Sequence, residues 1–222
     1  MNGQDLTFDV NGKAVNGYLA LPSQPNAPGV IVLHAWWGLN SFFKSVCNKL
    51  ATEGFVAFAP DLYEGKVAKT TDEAKALMPE NEIEQLHPIA AAVPGFLRSR
   101  PEVRKEPYSV IGFSMGAAWA LILASEFPED FNKVVLFYGT YAGMDFSKIR
   151  ADILGHYADM DEWGEPLDVV RATEADMRVV GLDPAFYVYP NTKHWFFEQD
   201  RPEFDPQTAD LAWNRTLEFL RK

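Results

Sequence analysis

The stretch Tyr108–Ser109–Val110–Ile111–Gly112–Phe113–Ser114–Met115–Gly116, followed by Ala117, Ala118 and Ala120, decides how the rest of the chain is read. Tyr108–Ile111 is a short strand-like run, and small residues at helical spacing follow Gly116. Between them stands G-x-S-x-G, the pattern that places a serine on a sharp strand-to-helix turn. Such a turn pushes Oγ into open space. Side chains at the two flanking positions would collide with strand and helix, so both are glycine. The helix that starts after Ser114 aims free N–H groups and its positive dipole end at the hydroxyl.

The same alternation extends in both directions. Upstream, Gly29–His34 is a continuous apolar, β-branched run, suited to a strand covered on both faces. Ser41 is the expected cap of a helix carrying Phe42, Phe43, Val46, Cys47 and Leu50, with Gly54 at its end. Phe55–Ala59 is another buried strand. From Thr70 to Leu97 the pattern is helical, with breaks expected at Pro79, Pro88 and Pro94 and hence two or three pieces. At the N-terminus, Leu6–Val10 and Ala14–Leu21 alternate around Asn11–Gly12, a hairpin signal.

Downstream, Lys133–Tyr138, Asp152–Tyr157 and Ala185–Tyr189 read as strands. Pro166–Val180 and a last segment carrying Ala209, Ala212, Trp213, Thr216, Leu217 and Leu220 on one face read as helices. Strands alternating with helices predict an α/β domain with a mostly parallel central sheet and helices on both faces. No repeat or linker divides residues 1–222, so one domain is expected.

Composition narrows the function classes. A net charge of −11 argues against nucleic acid, whose phosphates call for a basic face. The single cysteine, Cys47, rules out an intramolecular disulfide and a cysteine metal cluster, and its apolar neighbours predict a core thiol. No basic start or apolar stretch suggests a signal peptide or a membrane span, so a cytoplasmic protein is expected. There is neither an H-E-x-x-H pair nor a Gly-rich phosphate motif, so no metal or organic cofactor is expected.

A serine hydroxyl needs a base to take its proton, and the base needs a third group to orient it. Behind an elbow of this kind the acid and then the histidine follow the serine in chain order, on loops beyond strand ends. Of four histidines, His34 and His87 precede Ser114, and His156 lies within a predicted strand, where a satisfied structural role is expected. His194 follows Ala185–Tyr189 and the turn Pro190–Asn191–Thr192, the position the base requires. For the acid, Asp159, Asp161 and Glu162 crowd the loop after Asp152–Tyr157, and position alone does not choose among them.

Several separated segments, in order, resemble the dienelactone hydrolase family of the α/β-hydrolase fold. They are His34–Ala35–Trp36–Trp37–Gly38, Pro60–Asp61–Leu62–Tyr63, the elbow, Asp159–Met160–Asp161–Glu162–Trp163 and Tyr189–Pro190–Asn191–Thr192–Lys193–His194. The likeness covers nearly the whole chain. It implies Asp161 as the acid, because the family's acid ends a Gly/Ala-x-x-Asp segment and Ala158–Asp161 is one. It also implies that the backbone N–H groups of Trp36 and Met115 form an oxyanion hole. Trp36 is in addition a candidate for lining a substrate pocket, with core packing the competing role.

Three positions depart from the family's founding enzymes. Their nucleophile is cysteine, where this chain has Ser114. Their glutamate that switches with the thiol is replaced by Ala35. An arginine that holds the substrate carboxylate is replaced by Glu198. The resemblance therefore implies a serine enzyme that hydrolyses a small carboxylic ester or lactone other than dienelactone. A non-catalytic binding protein on the same scaffold, or cleavage of thioesters or amides by the same triad, are the alternatives.

Overall fold

Asn11 and Gly12, both at positive φ (53° and 82°), fold the first strand back on itself. As a result β1 (Gln4–Val10) pairs antiparallel with β2 (Lys13–Ala20), in the register Val10↔Lys13 to Gln4↔Leu19. The computed structural model describes residues 3–222. Within them the chain divides into two compact units, one extending to Val110 and the other from Ile111 to Lys222.

In the first unit β2 also pairs antiparallel with β4 (Val56–Pro60), and β4 runs parallel to β3 (Gly29–Leu33). Every residue of β3 and β4 is buried, which is why both read as unbroken apolar runs. Helix α1 (Ser41–Thr52) turns Phe42, Phe43, Val46, Cys47 and Leu50 inward, and the larger of these side chains each contribute about 1.5–3 kcal/mol by leaving water. Its cap is Asn40, not the expected Ser41. The Asn40 side-chain oxygen accepts from the N–H groups of Phe42 (3.0 Å) and Phe43 (3.2 Å), which makes Ser41 the first helical residue.

Helix α2 (Thr71–Leu77) opens with a capping box of Thr70 and Glu73 and stops at Met78, which is extended because Pro79 follows. Helix α3 (Glu82–Ser99) then runs straight through Pro88 and Pro94. The expected breaks at these two prolines do not occur. Each proline costs one backbone hydrogen bond, but burial of Leu86, Ile89, Ala90, Val93 and Leu97 along one face outweighs that loss.

Strand β5 (Tyr108–Phe113) leads into the second unit, with α4 (Met115–Glu126), β6 (Phe131–Phe137), β7 (Asp152–Ala158), α5 (Leu167–Val179), β8 (Ala185–Tyr189) and α6 (Pro206–Arg221). Helix α4 is apolar almost all round, as a fully covered helix must be. Pairings β6–β7 and β7–β8 are parallel. In sheet order the strands of the first unit read β1-β2-β4-β3 and those of the second β6-β7-β8, with β5, which crosses the boundary at Val110, beside β6. This is the mostly parallel α/β architecture that the alternating pattern predicts. Among the described residues, no helix is long and apolar enough to cross a membrane.

Candidate catalytic site

Parallel pairing brings the C-terminal ends of β6, β7 and β8 to the same edge, the Ser114 N–H after β5 meets the end of β6 there, and the loops that follow these strands carry the parts of the site. After β5, Ser114 takes φ 52° and ψ −117°, a left-handed conformation forced by the turn into α4. Its N–H donates to the carbonyl of Phe137 (2.9 Å), tying the elbow to β6. A Cβ on Gly112 would lie 2.1 Å from the Gly116 carbonyl oxygen, so the elbow closes only with glycine there. On the far side, a Cβ on Gly139 would meet the Ser114 carbonyl oxygen at 2.3 Å.

His194 sits in the turn after β8, and its side chain is 4% exposed. Ser114 Oγ and His194 Nε2 are 2.9 Å apart, and His194 Nδ1 and Asp161 Oδ2 are 2.6 Å apart. A carboxylate only accepts, so Nδ1 carries the proton and donates to Asp161. Nε2 is then bare and accepts from the serine hydroxyl. The other oxygen of Asp161 accepts from the Trp163 N–H at 2.8 Å, which fixes the rotation of the carboxylate.

Asp159 is turned to a different task. It accepts from the Thr192 N–H (3.2 Å), while Met160 N–H donates to the Thr192 carbonyl (3.0 Å). These two bonds stitch the loop bearing Asp161 to the loop bearing His194. Glu162 is exposed. Of the three carboxylates the sequence leaves open, Asp161 is the one that meets the histidine.

The imidazole is also held by rings. Tyr138 lies 4.9 Å from it, centroid to centroid, and Trp195 meets it edge-on at 5.0 Å. Trp163 in turn packs on Trp195 at 5.1 Å. Tyr138 and Trp195 both have positive φ (39° and 65°), so the backbone beside the site is bent away from its preferred conformations. Tyr138 donates to Glu198 at 2.9 Å, and burial together with that carboxyl keeps its phenol protonated. Burial pushes the Glu198 carboxyl up to about 8. Nothing in the sequence marked these contacts.

His156 is fully buried away from the triad. Thr216 gives its hydroxyl proton to the Ala212 carbonyl, so its oxygen accepts from His156 Nε2–H (3.0 Å), and Nδ1 accepts from the Tyr189 hydroxyl (2.8 Å). Both ring nitrogens are satisfied, and burial with Arg215 nearby drives its pKa down to about 3. Cys47 is buried, and desolvation raises its thiol pKa.

Met115 is the first residue of α4, so its N–H lies in the first turn beside Ser114, at the positive end of the helix. In the first unit, Trp36 follows Ala35 in the loop after β3, half-buried, with its ring on that of the buried Trp37 (5.4 Å). His34 accepts from the Leu62 N–H at Nε2 (3.1 Å), so its Nδ1–H donates to the Ala35 carbonyl (2.7 Å). Gly38 N–H donates to that same carbonyl. The peptide joining Ala35 to Trp36 is thereby fixed in orientation, its carbonyl held on one side and the Trp36 N–H directed to the other. Among the described residues, no cluster of three or more His, Cys, Asp or Glu is arranged to hold a metal ion.

Comparison with known proteins agrees with this architecture. The dienelactone hydrolase family matches residues 15–222. Protein usf of Aquifex pyrophilus is 35% identical, over 99% of this chain and 98% of its own. A relative from Aquifex aeolicus, named as a carboxymethylenebutenolidase, is 32% identical over the same shares. The solved structure of a protein named as a dienelactone hydrolase, from Klebsiella pneumoniae, superimposes with a TM-score of 0.85 at 22% identity, covering 99% of this chain and 98% of that one. The chain belongs to the dienelactone hydrolase family.

Proposed function

We propose that this member of an ester-hydrolysing family cleaves a small carboxylic ester or lactone through an acyl-serine intermediate. The observation that carries the reading is the line of two hydrogen bonds, Ser114 Oγ–His194 Nε2 and His194 Nδ1–Asp161 Oδ2. His194 takes the hydroxyl proton as Oγ attacks the carbonyl carbon, and Asp161 stabilises the imidazolium that forms. The tetrahedral intermediate collapses when His194 returns the proton to the leaving alkoxide. Water then attacks the acyl-serine by the same route, and the carboxylic acid leaves.

The oxyanion is assigned to the Met115 N–H. Support comes from its place in the first turn of α4, next to Ser114, where the positive end of the helix lies. Each such donor lowers the barrier by about 3 kcal/mol. The reaction uses no cofactor. Glu198 is buried against Tyr138 and offers no cation to a substrate carboxylate, which favours neutral esters over dienelactone.

A fluorophosphonate label followed by peptide mass spectrometry tests this reading. The adduct is expected on Ser114 in folded protein and absent from Ser114→Ala. Folded wild-type protein that stays unlabelled at Ser114 overturns it. A panel of p-nitrophenyl esters and lactones of graded chain length then defines the acyl preference.

A further inference from the structure

Glu165 stands four residues beyond Asp161, at the end of the same loop, and both of its oxygens are engaged by one residue. Oε1 accepts from the Thr140 N–H and Oε2 from the Thr140 hydroxyl, each at 2.8 Å. Thr140 follows Gly139, whose Cα faces the Ser114 carbonyl so closely that no Cβ fits. The contacts therefore form a closed circuit. It runs from Ser114 through His194 and Asp161 along the loop to Glu165, then through Thr140 and Gly139 back to the Ser114 backbone.

We infer that Glu165 is a positioning residue for the triad: its grip on Thr140 fixes the acid-bearing loop against the nucleophile's turn, and its carboxylate adds a second negative charge facing His194. This rests on the serine-hydrolase reading above. Both Thr140 groups donate, which suits an ionised carboxylate with four acceptor sites and no proton. Glu165 interacts electrostatically with both Asp161 and His194, while burial raises its pKa and the Thr140 bonds oppose that rise. An imidazolium formed during attack is then stabilised by two carboxylates. One touches Nδ1 and the other acts across the loop.

The surrounding titratable groups leave this effect readable. On the same loop, Glu162 is exposed, and so is Lys193 on the loop after β8. Tyr138, after β6, and Tyr157, on β7, are buried phenols held protonated well above neutral pH. The two phenols stay uncharged across the acid range, so a shift of the acid limb among the variants reports the carboxylates beside the base.

The test is the pH profile of kcat/KM with p-nitrophenyl acetate, compared among wild type, Glu165→Gln, Glu165→Asp and Thr140→Val. Glu165→Gln keeps the shape and its contact with Thr140 but removes the charge. Its acid limb is expected to move to lower pH by roughly 0.5–1 unit, as a charge acting through a partly buried path does. Thr140→Val and Glu165→Asp keep the charge but slacken the tether, so kcat falls while the limb stays in place. An acid limb that does not move in Glu165→Gln, or that moves as far in Glu165→Asp, overturns the inference. Wild-type protein unlabelled by fluorophosphonate overturns the hydrolase reading instead, so the two failures are told apart.

Discussion

The Tyr138 hydroxyl donates to Glu198 Oε1 at 2.9 Å, and both side chains are sealed from water. The ring of Tyr138 also faces His194, so the buried carboxyl of Glu198 props the candidate base from behind.

Burial of Glu198 sets the alkaline side of the stability curve, with the Tyr138 bond opposing it. Glu198 titrates near pH 8 in the folded protein and near its ordinary 4.5 when unfolded. Between those values the folded state holds the extra proton, so stability falls as pH rises. The limit is several kcal/mol, at about 1.4 kcal/mol per pH unit. Glu198→Gln keeps an acceptor for Tyr138 and abolishes this slope. Thermal unfolding at pH 6.5 and pH 8, above the range in which the histidines act, is expected to show a smaller difference in the variant than in wild type.

On the acid side two histidines act with the opposite sign. His156 falls to about 3 from its ordinary 6.5, and His34 is lowered too, both chiefly by burial. Below pH 6.5 the unfolded chain takes up protons that the folded one refuses, so stability falls as pH falls. Between about pH 4.5 and 6.5 these effects oppose that of Glu198, and the melting temperature is expected to peak there. A melting temperature that climbs steadily from pH 6.5 to pH 8 contradicts this.

The two loop aspartates are separable by kinetics. Asp161→Asn leaves His194 without its Nδ1 acceptor and is expected to lower kcat by about 10⁴-fold, the size known for such a change in other triads. Asp159→Asn keeps an oxygen for the Thr192 N–H and is expected to stay within about tenfold of wild type. Steady-state turnover of a p-nitrophenyl ester by the two purified variants decides the matter.

Gly139 has no room for a methyl group, since the obstacles are the Ser114 carbonyl and the Ala117 side chain. Gly139→Ala must displace the elbow. It is expected to cost about 1–3 kcal/mol of stability and to lower kcat far more than it alters KM. Chemical denaturation and steady-state kinetics on the same preparation measure both.

How much of this was legible in the sequence depends on the range of each interaction. The elbow and the turn before His194 are local, so residue types at short spacing reveal them. The acid needed more, because Asp159, Asp161 and Glu162 are alike until the loop's partners are known. The family resemblance names Asp161, and in the structure the bonds from Thr192 and His194 separate the first two. Tyr138–Glu198 spans sixty positions and Thr140–Glu165 twenty-five. Neither follows from periodicity or motif. Pro88 and Pro94 failed as breakers for a related reason: burial along α3 outweighed a local preference. The shift of the α1 cap from Ser41 to Asn40 is a contest between two good capping residues, won by Asn40, whose extended backbone lets its side chain accept from Phe42 and Phe43.

The left-handed backbones of Ser114, Tyr138 and Trp195 mean that the reactive arrangement is a loaded one, held against local preference by the packing around it. Once that packing loosens, these peptides relax first, while the strands beneath are still paired. Heat should therefore silence the enzyme before it melts it, and inactivation will begin as a subtle slackening at the ends of β5, β6 and β8 rather than as collapse of the sheet.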